Sequence, residues 1–251
     1  MYKIIYFSPT GNAKYIAGLL ADELQVTKTE VLEHIDVSMV EPEQHLVLVF
    51  AIHAFNAPRT VKRFVKELPA GKFAKVSLIA VGCNTSWVNS AVTKDLRKMF
   101  ASKKCEVVVD EVMAMPLTFI MAFPDDVAKG QVNDAGIQIK SIASSIQANR
   151  VSKNIIPVQS HVVNFIGRAE SGAARLFGLE LHATNDCTSC GLCSKECPEK
   201  NISMAPGQHP KFGFKCSMCM RCIYNCPEKA IKPYISRFIP ISKGYDLMKF
   251  L

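Results

Sequence analysis

The sequence predicts an α/β protein: a doubly wound, five-stranded parallel sheet, followed by a smaller α+β domain crowded with cysteine. Three observations carry this. The first 150 residues alternate short apolar runs with amphipathic stretches of helical length. Eight of the ten cysteines fall between Cys187 and Cys226. A chain of 251 residues suits one large domain or two unequal ones. With 49% hydrophobic and 21% charged residues, the composition excludes a disordered, collagenous or coiled-coil chain.

The strands are expected at residues 2–7, 30–35, 46–51, 76–81 and 105–112, where β-branched residues cluster as in Val107-Val108-Val109. Helical patterns fall between and after them at 13–24, 59–68, 90–100 and 125–149, the second entered through Pro58, which suits a first helical turn. Together they make one domain, 1–150. Residues 151–180 form a connector with a helical pattern around 162–177 that contains Gly167, Gly172 and Gly178; it either packs on the first domain or hinges. An internal repeat occupies 181–232, and a tail of alternating apolar and basic residues, 233–251, is expected to fold back over one of the domains. The longest uncharged apolar stretch, 112–123, is too short to span a bilayer and is broken by Pro116. The apolar run 4–7 ends at Ser8-Pro9, far short of a secretory signal. The expectation is a cytoplasmic chain with no stable membrane insertion.

In a reducing compartment a cysteine cluster argues for metal or redox chemistry rather than disulfides. The repeat reads Cys187, Cys190, Cys193, Cys197-Pro198 and then Cys216, Cys219, Cys222, Cys226-Pro227, two copies of C-x2-C-x2-C-x3-C-P. Three closely spaced thiolates on one loop can cap three irons of a cubane, and the fourth must come from elsewhere. The two loops therefore exchange their last cysteines: Cys187, Cys190, Cys193 and Cys226 for one [4Fe-4S] cluster, Cys216, Cys219, Cys222 and Cys197 for the other. Structural zinc is the alternative, but it needs four ligands rather than eight in two identical runs. Residues 181–232 resemble a two-cluster bacterial ferredoxin, which implies one-electron transfer. Cys105, beginning a strand, reads as structural.

After the first strand comes Ser8-Pro9-Thr10-Gly11-Asn12-Ala13, opening a helix. Unpaired N–H groups and the positive dipole end make such a terminus an anion site, and the Ser8, Thr10 and Asn12 side chains can wrap a phosphate. The loop resembles the flavodoxin phosphate loop, usually Ser/Thr-x-Thr-Gly-Asn-Thr, with Ala13 in place of the last Thr. That resemblance implies a sheet order of 2-1-3-4-5 and bound FMN. It also implies two loops around the flavin ring: His53-Ala54-Phe55-Asn56 after the third strand, and Gly82-Cys83-Asn84-Thr85-Ser86-Trp87 after the fourth. Phe55 or Trp87 could stack on the ring or plug the core. His53 reads either as a loop histidine or as a proton donor, and Cys83 as a small buried residue or a flavin contact.

No G-x-G-x-x-G follows a strand, and no P-loop, nucleophile elbow or His-Glu-x-x-His is present. The whole chain resembles fused proteins of bacterial and archaeal anaerobes in which a flavodoxin-like FMN domain precedes a two-cluster ferredoxin. The implied function is passage of single electrons between two [4Fe-4S] clusters and FMN, with no catalytic acid, base or nucleophile required. The alternative is an FMN-dependent reductase of a quinone or nitro acceptor, fed by its own ferredoxin domain. Partners would be redox proteins whose identity the sequence does not give; a homodimer stays open. The formal charge of +8 does not imply nucleic acid, because two clusters and a flavin phosphate would remove about six charges and no basic run is interleaved with aromatics.

Overall fold

In a computed structural model of the protein, which describes residues 2–40 and 43–251, six parallel strands form one sheet. They are β1 (Tyr2–Phe7), β2 (Thr29–Val31), β3 (Glu43–Ala51), β4 (Phe73–Gly82), β5 (Glu106–Ala114) and β6 (Ser152–Lys153), in the order β2-β1-β3-β4-β5-β6. Five strands were expected, and the order of those five is the doubly wound one, β2-β1-β3-β4-β5. The sixth consists of two residues paired with Val109 and Asp110, too short to leave an apolar pattern.

Period-two alternation divides the core. On one face Ile4, Tyr6, Val47 and Val49 pack under α1 (Asn12–Leu24) and α4 (Asp125–Gln147). On the other, Ile5, Phe7, Leu46, Leu48 and Phe50 pack under α2 (Arg59–Glu67) and α3 (Lys94–Ser102). Two expectations need correcting. The second strand does not run over 30–35: it ends at Val31, and Leu32–His34 makes a 3-10 turn that buries Leu32 in the core and turns Glu33 out of the sheet. The third helix begins at Lys94 rather than at residue 90, because 3-10 turns precede it and the buried Thr93 hydroxyl donates to Asp110.

The connector contains one continuous helix, α5 (Val158–Glu180). Its Asn164 donates to the Phe55 carbonyl and to Asn56 Oδ1, and Ser160 donates to the Trp87 carbonyl. A Cβ added at Gly167 would meet the Ala54 carbonyl oxygen at 1.9 Å; one added at Gly178 would meet the Gly213 carbonyl oxygen at 2.5 Å. One helix thus lies against both domains, and each contact depends on a missing side chain.

The second domain pairs β7 (Leu181–Ala183) with β10 (Ile231–Pro233) and β8 (Ile202–Ser203) with β9 (Lys211–Phe212), both antiparallel. Between them lie the short helices α6 (Leu192–Lys195) and α7 (Arg221–Tyr224). The sequence repeat is also a backbone repeat: Ser189 and Met218, Gly191 and Met220, Lys200 and Lys229 take left-handed conformations in pairs. The tail lies on the α1/α4 face, where Leu247 is buried and the Tyr245 hydroxyl donates to Asn12 Oδ1.

Candidate redox site

A cavity of about 370 Å3 opens at the C-terminal ends of the strands, between the two domains. This is where an open parallel sheet places its ligand. Thr10 and Asn12 line it from the first loop, His53, Ala54, Phe55 and Asn56 from the second, and Gly82 and Cys83 from the third. Ser8, Gly11, Ala13, Asn84 and Trp87 do not line it. Ala13 is buried in the core, and Trp87 is exposed on a 3-10 turn.

At the first loop, Gly11 has φ 106°, a conformation strained for a side-chain-bearing residue, and no side chain caps α1. The first-turn N–H groups therefore point out of the helix without a capping partner. Ser8 Oγ is buried and has no hydrogen-bond partner. The Asn12 side chain, by contrast, is engaged: Nδ2 donates to the Pro116 carbonyl at 2.8 Å, and Oδ1 accepts from Tyr245. An anion at this terminus would meet backbone N–H groups and the Thr10 hydroxyl rather than the Asn12 amide.

The second loop is a tight turn closed by the His53–Asn56 bridge, with Ala54 and Phe55 both at positive φ, 47° and 56°. Such residues cost about 1–2 kcal/mol each, and the strain is held by α5 through Asn164 and the bare Gly167. Burial, with Arg221 and Arg59 adding to it, pushes the His53 imidazole down to about 4, so it faces the cavity neutral at ordinary pH. Burial raises the Cys83 thiol, which keeps it protonated.

The remaining wall comes from the cysteine-rich domain: Ser217, Met218, Cys219 and Met220 line the same cavity. Ser217 Oγ is a second buried hydroxyl without a partner. The cysteines fall into two quartets. Cys187, Cys190, Cys193 and Cys226 line one small pocket, with Cys190 exposed. Cys197 lies close enough to Cys216, Cys219 and Cys222 to act on them electrostatically. Burial pushes the Cys219 thiol up to about 12, so ligation must displace its proton. Among the described residues no three His, Cys, Asp or Glu side chains converge on a position for a single metal ion. The C-x2-C-x2-C-x3-C-P spacing of both runs is that of iron–sulfur ligands rather than of one zinc.

Ionic and hydrogen-bond contacts hold the second quartet on the cavity. Arg221, buried between Met220 and Cys222, lies 2.6 Å from Glu33, an ion pair whose angles fall short of a hydrogen bond. It also donates to the carbonyls of Ser8 and Glu196 and lies over the Phe7 ring. Arg59 donates to the carbonyls of Lys215 and Cys216, and Thr60 to Glu199. The sequence reading did not single out Arg59, Glu33, Ser217 or Arg221. Only the adjacency of Arg221 to a ligand cysteine could have drawn attention to it.

Residues 180–227 match the protein family described as 4Fe-4S dicluster domain. Among solved structures, a flavodoxin from Streptococcus pneumoniae TIGR4 aligns at 17% identity and TM-score 0.42, covering 59% of this chain and 97% of that one. The two-electron reduced flavodoxin of Megasphaera elsdenii aligns at 15% identity and TM-score 0.39, over 57% and 99%. An apo NADH:FMN oxidoreductase aligns at 19% and 0.39, over 56% and 88%. No curated protein sequence matches. The fold assignment rests on the strand order itself. The chain joins a flavodoxin-like doubly wound domain to a 4Fe-4S dicluster domain.

Proposed function

We propose that the chain is an electron relay holding two [4Fe-4S] clusters and FMN. Cys187, Cys190, Cys193 and Cys226 hold the outer cluster, Cys197, Cys216, Cys219 and Cys222 the inner one, and the three loops at the strand ends hold the flavin. When bound, the clusters exchange single electrons and FMN one or two. The observation that carries this reading is the shared wall: Cys219 and its neighbours line the cavity that Thr10, Asn12, His53 and Phe55 also line.

The chain's own residues supply placement. The uncapped α1 terminus and the Thr10 hydroxyl, which lines the cavity, offer donors to a phosphate. The Arg221–Glu33 pair and Arg59 fix the inner loop against the flavin loops. Neutral His53 adds no charge to the pocket. Exposed Cys190 leaves the outer quartet within reach of a redox partner. No helix among the described residues is long and apolar enough to cross a membrane, and the expected setting is the cytoplasm, where the thiols stay reduced.

Anaerobic purification, with iron, sulfide and FMN quantified, followed by a stepwise dithionite titration read by absorbance and EPR, tests this. The expected result is about eight irons and one FMN per chain, reduced in resolved steps. Eight irons with no uptake of added FMN would overturn the flavin half and leave a ferredoxin with a docking domain. Saturable turnover of a quinone or nitro compound would make the protein a reductase instead.

A further inference from the structure

Helix α5 packs on its own chain through one face, where Ser160, Asn164, Gly167, Ala174 and Phe177 are buried. The opposite face is apolar and open. Val158 is 82% exposed, Val162 60%, Phe165 72%, Leu176 58% and Leu179 56%. With Ala169 and Gly172 these residues follow one another at alternating intervals of four and three, the spacing of a coiled-coil seam, sustained along the whole helix. Side chains of this size expose on the order of 100 Å2 each, so with Ile166 the stripe offers about 600–700 Å2. A typical monomer's largest patch is about 300–600 Å2, and each side of a standard interface is about 800 Å2. The Tyr234 N–H donates to the Glu180 carbonyl, which places exposed Ile235 at the end of the stripe and enlarges it.

We propose that a second copy of this chain covers the stripe, α5 packing on α5 in a two-fold contact. The seam is large at both ends and small in the middle, at Ala169, Gly172 and Ala173, so two copies can cross closely at the waist. A lipid surface gains nothing from such a waist. The charges beside the seam also disfavour a bilayer: Glu180 lies at its end, and Arg168 is held by Asp95 at 3.0 Å. Gly172 lines the large cavity too, together with Arg168, Ser171 and Arg175. The second helix therefore roofs the α5 side of the cavity and excludes water there. That consequence rests on the flavin reading; the dimer does not.

Sedimentation equilibrium of the anaerobically purified holoprotein, from about 1 to 100 µM, tests the dimer. The expected mass is twice the 27.7 kDa of one chain. Phe165→Glu combined with Leu176→Glu should sediment as one chain with iron content and far-UV circular dichroism unchanged. Ala169→Arg, which keeps the large side chains but blocks the close crossing, should weaken association by about 100-fold or more. Wild-type protein that stays at single-chain mass, or either variant pairing like wild type, overturns the proposal. A monomeric wild type that floats with anionic phospholipid vesicles also overturns it and gives the stripe to a lipid surface. A dimer that takes up no FMN leaves this interface standing while the flavin reading fails.

Discussion

The two cysteine quartets have the same spacing and the same backbone repeat, yet different surroundings. The outer one has an exposed cysteine and a small pocket of its own. The inner one forms part of a cavity whose other walls come from the sheet's loops and from α5, and Arg221, Arg59 and the end of α5 hold it there. Ligand chemistry is thus specified by local sequence, and role by what each copy is packed against. In the proposed relay the outer copy faces partners and the inner one the flavin.

The strongest test removes one ligand from each copy. Cys219→Ala and Cys190→Ala should each cost about half the iron, but only Cys219→Ala should weaken FMN binding, by about tenfold or more, because only its loop walls the cavity. FMN fluorescence titration of the two purified variants checks this; equal losses of affinity would erase the distinction between the quartets. Next in size is Arg221→Met, which strands the buried Glu33 carboxylate and should cost about 3 kcal/mol of stability in denaturant unfolding. Adding Glu33→Gln should recover much of it. The corresponding position in the outer repeat, Leu192, carries no charge, so Leu192→Met should change little.

These differences separate what the sequence reveals from what it hides. The cysteine repeat is legible because cluster chemistry demands ligands at fixed covalent spacing, and β1, β3, β4 and β5 are legible because alternating burial imprints itself on neighbours. Glu33 looked like a strand residue; its function as a counter-charge depends on Arg221, which no local pattern connects to it. The cavity's α5 wall was invisible for the same reason. In the sequence Gly167 and Gly178 suit a hinge as well as a packed helix, whereas in the fold they are the points of closest approach.

A third test uses that reversal. Gly167→Ala should cost about 2 kcal/mol, since its Cβ meets the Ala54 carbonyl at 1.9 Å and the strained flavin loop must yield. Gly130→Ala, in α4 with open space around it, should instead gain about 0.5–1 kcal/mol. Thermal unfolding of both variants distinguishes a helix that fits from one that merely connects. The smallest effect is in pH. Burial holds His45 at about 4 in the fold, against about 6.5 when unfolded. Its lowered value means that stability is whole above pH 6.5 and is lost as pH falls toward 4, by about 1 kcal/mol between pH 6 and 5. His45→Gln, which keeps a partner for Ser77, should flatten that slope in urea titrations.

Helix α5 meets the flavin loop at Gly167 and the inner cysteine loop at Gly178, eleven residues apart, or about 16 Å of helical rise. It acts as a ruler. Inserting one residue between the two marks would lengthen it by only about 1.5 Å but rotate the far contact by about 100°, so its length admits no gradual adjustment. The gap between the two halves of the protein is therefore set by counting, as firmly as the intervals between the cysteines.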